Sequence, residues 1–320
     1  MRHAGTREHV LTGLRDAGAA GVSGESLAHM LGVSRVAVGK HVAALRELGY
    51  QVEAVPGSGY RLVAQPDLAY PWDVAPLVRH ALWRSFSGDA TLPSTNDAAR
   101  ELAAAGADEG TVVVAARQSA GRGRLGRSWE SPAGGAYVSV ILRPPVAPAD
   151  AGSLALVVGL GIAQGLESVG VRPRLKWPND VWMGEAKVAG VLLEMSAESD
   201  RVTWVVAGFG LNVVRPPDAP LVAAYVRDEL PDANIAAVTA SVLDGIAEAY
   251  GVWLDAGFGS LQEAYNERSL LNGRDVVVSD ASGAVRVRGV ARGVDDEGRL
   301  IVQGRAGTEA VSSGEATLRT

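Results

Sequence analysis

A glycine spacing that commonly opens a nucleotide-binding helix stands here where no helix can follow. Gly121, Gly123 and Gly126 satisfy Gly-x-Gly-x-x-Gly. In a dinucleotide-binding turn that pattern leads into a helix and is answered by an acidic residue about 20 positions on. Here Pro132, Gly134 and Gly135 follow closely, and no Asp or Glu stands between Glu130 and Asp150. A nicotinamide-binding oxidoreductase is therefore disfavoured. The Gly-Lys-Ser/Thr ending of a P-loop is missing as well. What remains is a flexible loop with Arg122, Arg124 and Arg127 between its glycines. Its amides and guanidinium forks suit a phosphate or carboxylate. Its flexibility suits closure over a reactive intermediate, away from water.

Side-chain chemistry narrows the reaction. The chain has no cysteine, and its five histidines are His3, His9, His29, His41 and His80. Thiolate metal sites, cysteine nucleophiles, and any Ser-His-Asp triad or histidine metal cluster beyond residue 80 are excluded. Catalysis there must rest on charge, polar groups and backbone amides. Of the 30 basic residues only Lys40, Lys176 and Lys187 are lysines. In a chain that otherwise uses arginine, Lys176 and Lys187 mark places where a compact ammonium is needed rather than a planar fork.

The organisation reads as α+β in three parts, with boundaries at 1–65, 66–270 and 271–320. The head reads as a winged helix-turn-helix. Leu27, Met30 and Leu31 point inward on its second helix. Gly32-Val33-Ser34 makes the turn, and a third helix carries a buried stripe of Val38, Val42, Leu45 and Leu48. A hairpin with a Pro-Gly-Ser-Gly turn forms the wing. Residues 1–65 hold seven basic and five acidic side chains, on a chain of net charge −6. Ser34, Arg35, Lys40 and Arg61 are the candidate DNA-facing residues, Ser34 also as N-cap and Arg61 as a phosphate contact on the wing. The middle part alternates strands with a few long helices, as in an α/β domain with a mixed sheet. The last 50 residues read as short strands of a small β-barrel. The charged first ten residues, and the absence of an apolar run long enough to span a bilayer, lead to the expectation of a cytoplasmic protein without membrane association. The longest apolar run, near Ala155–Ile162, reads as a buried helix.

Four motifs in order carry a resemblance. Gln118 to Trp129 resembles the signature loop of the biotin–protein ligases. Lys176-Trp-Pro-Asn-Asp180, Lys187-Val-Ala-Gly190 and Gly208-Phe-Gly-Leu-Asn212 match that family's next three motifs. With its winged helix and its C-terminal barrel, which would then be SH3-like, the chain is similar to the bifunctional subgroup that also represses biotin synthesis genes. The resemblance implies ATP and Mg2+ as cofactors and biotin as substrate. It implies a biotinyl-5′-adenylate intermediate, transfer to a lysine of a biotin carboxyl carrier protein, operator DNA as a second partner, and a homodimer.

The resemblance also implies roles. Ser94, Thr95, Asn96 and Gln118 would meet biotin, with Gly121, Arg122, Gly123 and Arg124 covering it and Gly190, Gly208 and Gly210 letting backbone approach closely. Ser94-Thr-Asn-Asp97 is equally a helix capping box. Arg124, Arg127, Trp129, Lys176, Asn179, Asp180 and Asn212 would serve the nucleotide, Asp180 orienting a lysine or nucleotide group. Lys187, Arg124, Arg122 and Lys176 would be catalytic. Metal ligands are unassigned, and residues 213–230 offer no match for an adenine-covering loop. A lipoate–protein ligase of the same fold and a regulator that only senses biotin are the rival readings. The Gly-Arg loop counts against the first, and the lysines and loop arginines against the second.

Overall fold

The computed structural model describes residues 5–217 and 223–318. It forms two compact units, Met1–Asp67 and Leu68–Thr320.

In the first unit, helices α1 (Thr6–Ala17), α2 (Gly24–Leu31) and α3 (Arg35–Glu47) precede strands β1 (Gln51–Val55) and β2 (Gly59–Ala64). Ser23 caps α2 by accepting from Ser26 N at 2.9 Å, and Ser34 caps α3 by accepting from Ala37 N at 3.1 Å. Val10, Leu11 and Leu14 of α1 are buried, as are Leu27 of α2 and Val38, Val42 and Leu45 of α3. β1 and β2 pair antiparallel, as expected of the wing. One inward residue is corrected: Met30 is 66% exposed. Leu27 and Ala28 form the buried stripe of α2, and at 3.6 residues per turn Met30 lies about 110° around the helix from its centre. Arg35 and Lys40 are exposed on α3. Arg61 on β2 pairs with Glu53 across the hairpin at 2.8 Å.

The second unit begins with the single turn α4 (Pro71–Val74) and is built on a seven-stranded mixed sheet. Its strands are β3 (Ser85–Leu92), β4 (Thr111–Gln118), β5 (Gly135–Leu142), β6 (Arg174–Lys176), β7 (Asp180–Met183), β8 (Ala186–Ala197) and β9 (Val202–Asn212). The order across the sheet is β3-β4-β5-β9-β8-β7-β6; β3 and β4 run parallel and every other pair is antiparallel.

Side chains alternate between the two faces, so the covering helices can be read from the strands. Val112, Val114, Val140, Leu142, Val205 and Ala207 belong to the large core with α6 (Leu154–Ser168) and α7 (Ile235–Ala256). Val113, Ile141 and Val206 pack instead on Ala99 and Ala103 of α5 (Thr95–Ala104). Asp150–Ser168, which is α6 with the helical turn before it, and α7 are apolar and long enough to cross a membrane, yet 72% and 67% of their most apolar windows are buried. They lie close together, Gly161 and Gly245 leaving no room for a Cβ between them.

After α8 (Gln262–Arg268) the chain forms β10 (Asp275–Ser279), β11 (Val285–Val294), β12 (Leu300–Gly304), β13 (Gly307–Val311) and β14 (Glu315–Leu318). They make a five-stranded antiparallel sheet in the order β13-β12-β11-β10-β14.

Candidate active site

The sheet face that carries α5 is only partly covered by it, and the uncovered part is the floor of a cavity. Register brings the floor together: Gly190 pairs with Gly210, and Gly208 lies between Leu192 and Ser139. These positions share the α5 face by the twofold alternation of strands. A Cβ at Gly208 would collide with Asn96 Oδ1, and one at Gly210 with the indole of Trp129.

The start of α5 supplies one polar wall. Ser94 caps the helix, accepting from Asp97 N at 3.4 Å, so the helix cap and the cavity share this residue. Thr95 donates to Gln118 Oε1 from its amide (2.8 Å) and its hydroxyl (3.1 Å). Ser139 donates to Asn96 Oδ1 at 2.6 Å, while Asn96 Nδ2 donates to Leu192 O (3.3 Å) and Glu194 Oε2 (2.9 Å). Ser94, Thr95 and Asn96 are all buried. An uncharged ligand with donors and acceptors on one edge meets donors and acceptors already fixed in place.

The Gly-Arg loop crosses the other side, and each arginine reaches a different element. Arg122 pairs with Glu194 (2.6 Å) and Asp97 (2.9 Å). Arg124 donates to Asn179 Oδ1 at 2.8 Å and to Gly314 O at 3.4 Å. Arg127 forms a two-nitrogen fork on Glu315, at 3.1 and 2.8 Å. Burial holds Arg124 below the usual guanidinium range, against the opposing fields of Asp180 and Glu315. The Arg127 hydrogen bond holds the Glu315 carboxyl below the usual range.

Lys187 Nζ lines the cavity, 2.6 Å from Asp180 Oδ1 and 4.9 Å from the Trp129 ring centre. Lys176 lies outside it, its Nζ 4.7 Å from the Trp182 ring centre; burial lowers its pKa although Asp180 acts the other way.

The cavity thus gathers Ser94, Thr95, Asn96, Gln118, Arg122, Gly123, Arg124 and Trp129 with Asn179, Lys187, Gly190, Gly208 and Gly210. A second cavity shares Trp129 and Lys187 with the first and adds Asn212. Gly121, Arg127, Lys176 and Asp180 line neither. Gly121 packs against Trp129 O and Ser131 Oγ, shaping the loop from beneath.

Sequence reading missed several contributors. Glu194, Asp97 and Ser139 hold the polar wall and Arg122, and Tyr137 and Tyr225 line the second cavity. Arg215 stacks over Tyr225 at 4.5 Å. Of the stretch without a match, Asp218–Val222 lie outside the described residues. The alternation of β5 and β8 places Ser139 and Glu194 on the glycine face, but only after the register is known. Among the described residues no group of three or more His, Cys, Asp or Glu is placed to hold a metal.

A helix-turn-helix head, a mixed-sheet domain with this cavity and an antiparallel terminal sheet define the class. Residues 88–212 match the biotin/lipoate A/B protein ligase family, residues 6–61 an HTH domain, and residues 273–319 the biotin protein ligase C terminal domain. The chain is 34% identical over 311 residues to the bifunctional ligase/repressor BirA of Bacillus subtilis (strain 168), spanning 93% of this chain and 94% of that protein. It is 35% identical to the biotin–[acetyl-CoA-carboxylase] ligase of Mycobacterium tuberculosis (strain ATCC 25618 / H37Rv), over 73% of this chain and 88% of that one. The solved biotin protein ligase from Aquifex aeolicus in complex with biotin and ATP superposes with a TM-score of 0.63 at 29% identity, covering 74% of this chain and 99% of that one. The chain belongs to the biotin/lipoate A/B protein ligase family, and within it to the bifunctional ligase/repressors.

Proposed function

We propose that this chain ligates biotin to protein through biotinyl-5′-adenylate and represses transcription through its helix-turn-helix head. One observation carries the ligase reading: a wall of uncharged donors and acceptors on one side of a cavity faces Arg122, Arg124 and Lys187 on the other, and the lysine opens onto a second cavity lined by Trp129 and Tyr225. A neutral ring with a carboxylate tail fits the first cavity, and a nucleotide the second.

In the first step a biotin carboxylate oxygen attacks the α-phosphorus of ATP. The new P–O bond forms as the α–β bridging P–O bond breaks, and pyrophosphate leaves. Both reactants are anions, so the site lowers the barrier by holding them together in a positive field. Lys187 is assigned to the junction, with Arg122 and Arg124 on the carboxylate and phosphate and Lys176 as a more distant charge. In the second step an unprotonated acceptor lysine attacks the acyl carbon. A C–N bond forms, the C–O bond to AMP breaks, and the amine loses its proton.

Ser94, Thr95, Asn96 and Gln118 are assigned to the biotin ring, over Gly190, Gly208 and Gly210 and under the loop Gly121–Arg124. Arg127, Trp129, Asn179, Asp180 and Asn212 are assigned to the nucleotide side, with Tyr137 and Tyr225 added as adenine-side walls. Mg2+ needs one or two protein carboxylates besides substrate phosphates; Asp180 fits such a donor set, and the metal would neutralise phosphate charge. Ser34, Arg35, Lys40 and Arg61 are assigned to operator DNA. The acceptor is a biotin carboxyl carrier protein, the working form a homodimer, the compartment the cytoplasm, and the functional boundaries 65/66 and 270/271.

Incubation with biotin, ATP, Mg2+ and a biotin carboxyl carrier domain should add one biotinyl group to one lysine, read by mass spectrometry. Transfer of lipoate but not biotin contradicts the reading. Biotin binding without any adenylate would instead leave a sensor.

A further inference from the structure

Arg122 hydrogen-bonds and pairs through a single nitrogen. One terminal NH2 group meets Glu194 Oε2 at 2.6 Å and Asp97 Oδ1 at 2.9 Å, and no hydrogen bond of Nε or the other terminal nitrogen is found among the described residues. Arg122 lines the cavity, whereas Glu194 and Asp97 do not. The carboxylates therefore grip the guanidinium from outside and leave donors available to a ligand. The same Glu194 oxygen accepts from Asn96 Nδ2 at 2.9 Å, and Asn96 also lines the cavity. Arg100 completes the group, 2.9 Å from Asp97 and 3.4 Å from Glu194. Two cations and two anions balance, so the network carries no net charge.

Glu194 suits the task by placement. It follows Gly190 and Leu192 on the α5 face of β8, which brings it to the rim of the glycine floor. Burial alone would push its carboxyl up; hydrogen bonds from Asn96 and Arg122, with the charges of Arg122 and Arg100, outweigh this and hold it below the usual range.

Resting on the reading of the cavity as the biotin site, we infer that Glu194 is a positioning residue for ligation. With Asp97 it fixes Arg122 so that the unused guanidinium nitrogens face the biotin carboxylate, and through Asn96 it sets the loop at a defined distance from the ring-binding wall. Glu194 itself touches no reacting atom.

Glu194→Gln tests this, because the amide oxygen still accepts from Asn96 while the charge that grips Arg122 is gone. A charge-assisted hydrogen bond is worth enough that biotin Kd, by calorimetry, should rise about tenfold or more. ATP affinity and melting temperature should stay near wild type. In an Arg122→Ala background the same change should alter biotin Kd less than about twofold, since neighbours that act through one another are not additive. Unchanged biotin affinity of Glu194→Gln overturns the inference. So does a full penalty in the Arg122→Ala background, which would mean that Glu194 acts through the fold. Failure of the wild type to bind biotin overturns the reading of the cavity itself, and the inference with it; that outcome is read separately from the variants.

Discussion

Lys187 Nζ sits 2.6 Å from Asp180 Oδ1. The pair crosses the β7–β8 hairpin, and both side chains are partly buried, at 30% and 22% exposure. Asp180 aims the ammonium, with Trp129 on one side and the Gly190 backbone beneath. Lys187→Arg keeps the charge but replaces a near-spherical donor with a longer planar fork. A misplacement of about 1 Å can cost on the order of 10²-fold in rate, roughly 2.7 kcal/mol of barrier. Adenylation by Lys187→Arg should fall by at least about that factor, with an unchanged melting temperature, while Lys40→Arg stays near wild type. Near-normal adenylation by Lys187→Arg would remove the lysine from its assigned role.

Gly208→Ala should damage the biotin wall and leave the nucleotide side alone. The new methyl takes the place of Asn96 Oδ1, and Asn96 is held there by Ser139, Leu192 O and Glu194. Forcing it out breaks part-buried hydrogen bonds worth about 1–3 kcal/mol when left unsatisfied. Biotin KM should rise on the order of tenfold or more, with ATP KM little changed. Equal effects on both would place Gly208 elsewhere in the chemistry.

The loop clasp should survive moderate acid. Glu315 titrates below the unfolded glutamate value because Arg127 hydrogen-bonds to it. Its contribution is complete above that ordinary value and is lost as pH falls through the depressed one. Hydrogen exchange of residues 119–129, corrected for its intrinsic pH dependence, should therefore stay flat from neutral pH down to about pH 5. In Glu315→Gln it should be faster throughout. Identical protection in the variant would show that the fork does not hold the loop.

Much of this was legible in the sequence, for identifiable reasons. Ser23 and Ser34 cap helices where hydroxyl caps are expected, and the apolar runs of β4, β5, β8 and β9 declare themselves. Strand β3 went unread although Phe86, Ala90 and Leu92 alternate with Ser85, Ser87, Asp89 and Thr91: Gly88 and the small Ala90 weaken the apolar side, as suits an edge strand with an intermediate-to-exposed pattern. The four residues of β7 begin at Asp180, which reads equally well as an Asx turn. Met30 deceived because helical spacing gives a stripe without its width. The partners of the loop arginines were invisible, since Glu194 and Glu315 lie 72 and 188 residues away from them in the chain. Only sheet register and the terminal sheet bring them near.

The head predicts salt-dependent DNA binding. Arg35 and Lys40 are exposed on α3 beside the Ser34 cap, and phosphate contacts release counterions. Affinity of the full chain for its operator should fall steeply with salt in an electrophoretic or anisotropy titration. Arg35→Ala with Lys40→Ala should weaken it and reduce the salt slope by about 2. An unchanged slope would remove these residues from the DNA face.

The central claim is that this cavity joins a biotin carboxylate to an adenylyl phosphate. Exchange of labelled pyrophosphate into ATP measures that step alone, without acceptor protein or DNA. The account predicts exchange that requires biotin, is not supported by lipoate, and is lost on the order of 10²-fold in Lys187→Arg. Exchange driven by lipoate in place of biotin, or biotin binding with no exchange at all, would contradict it.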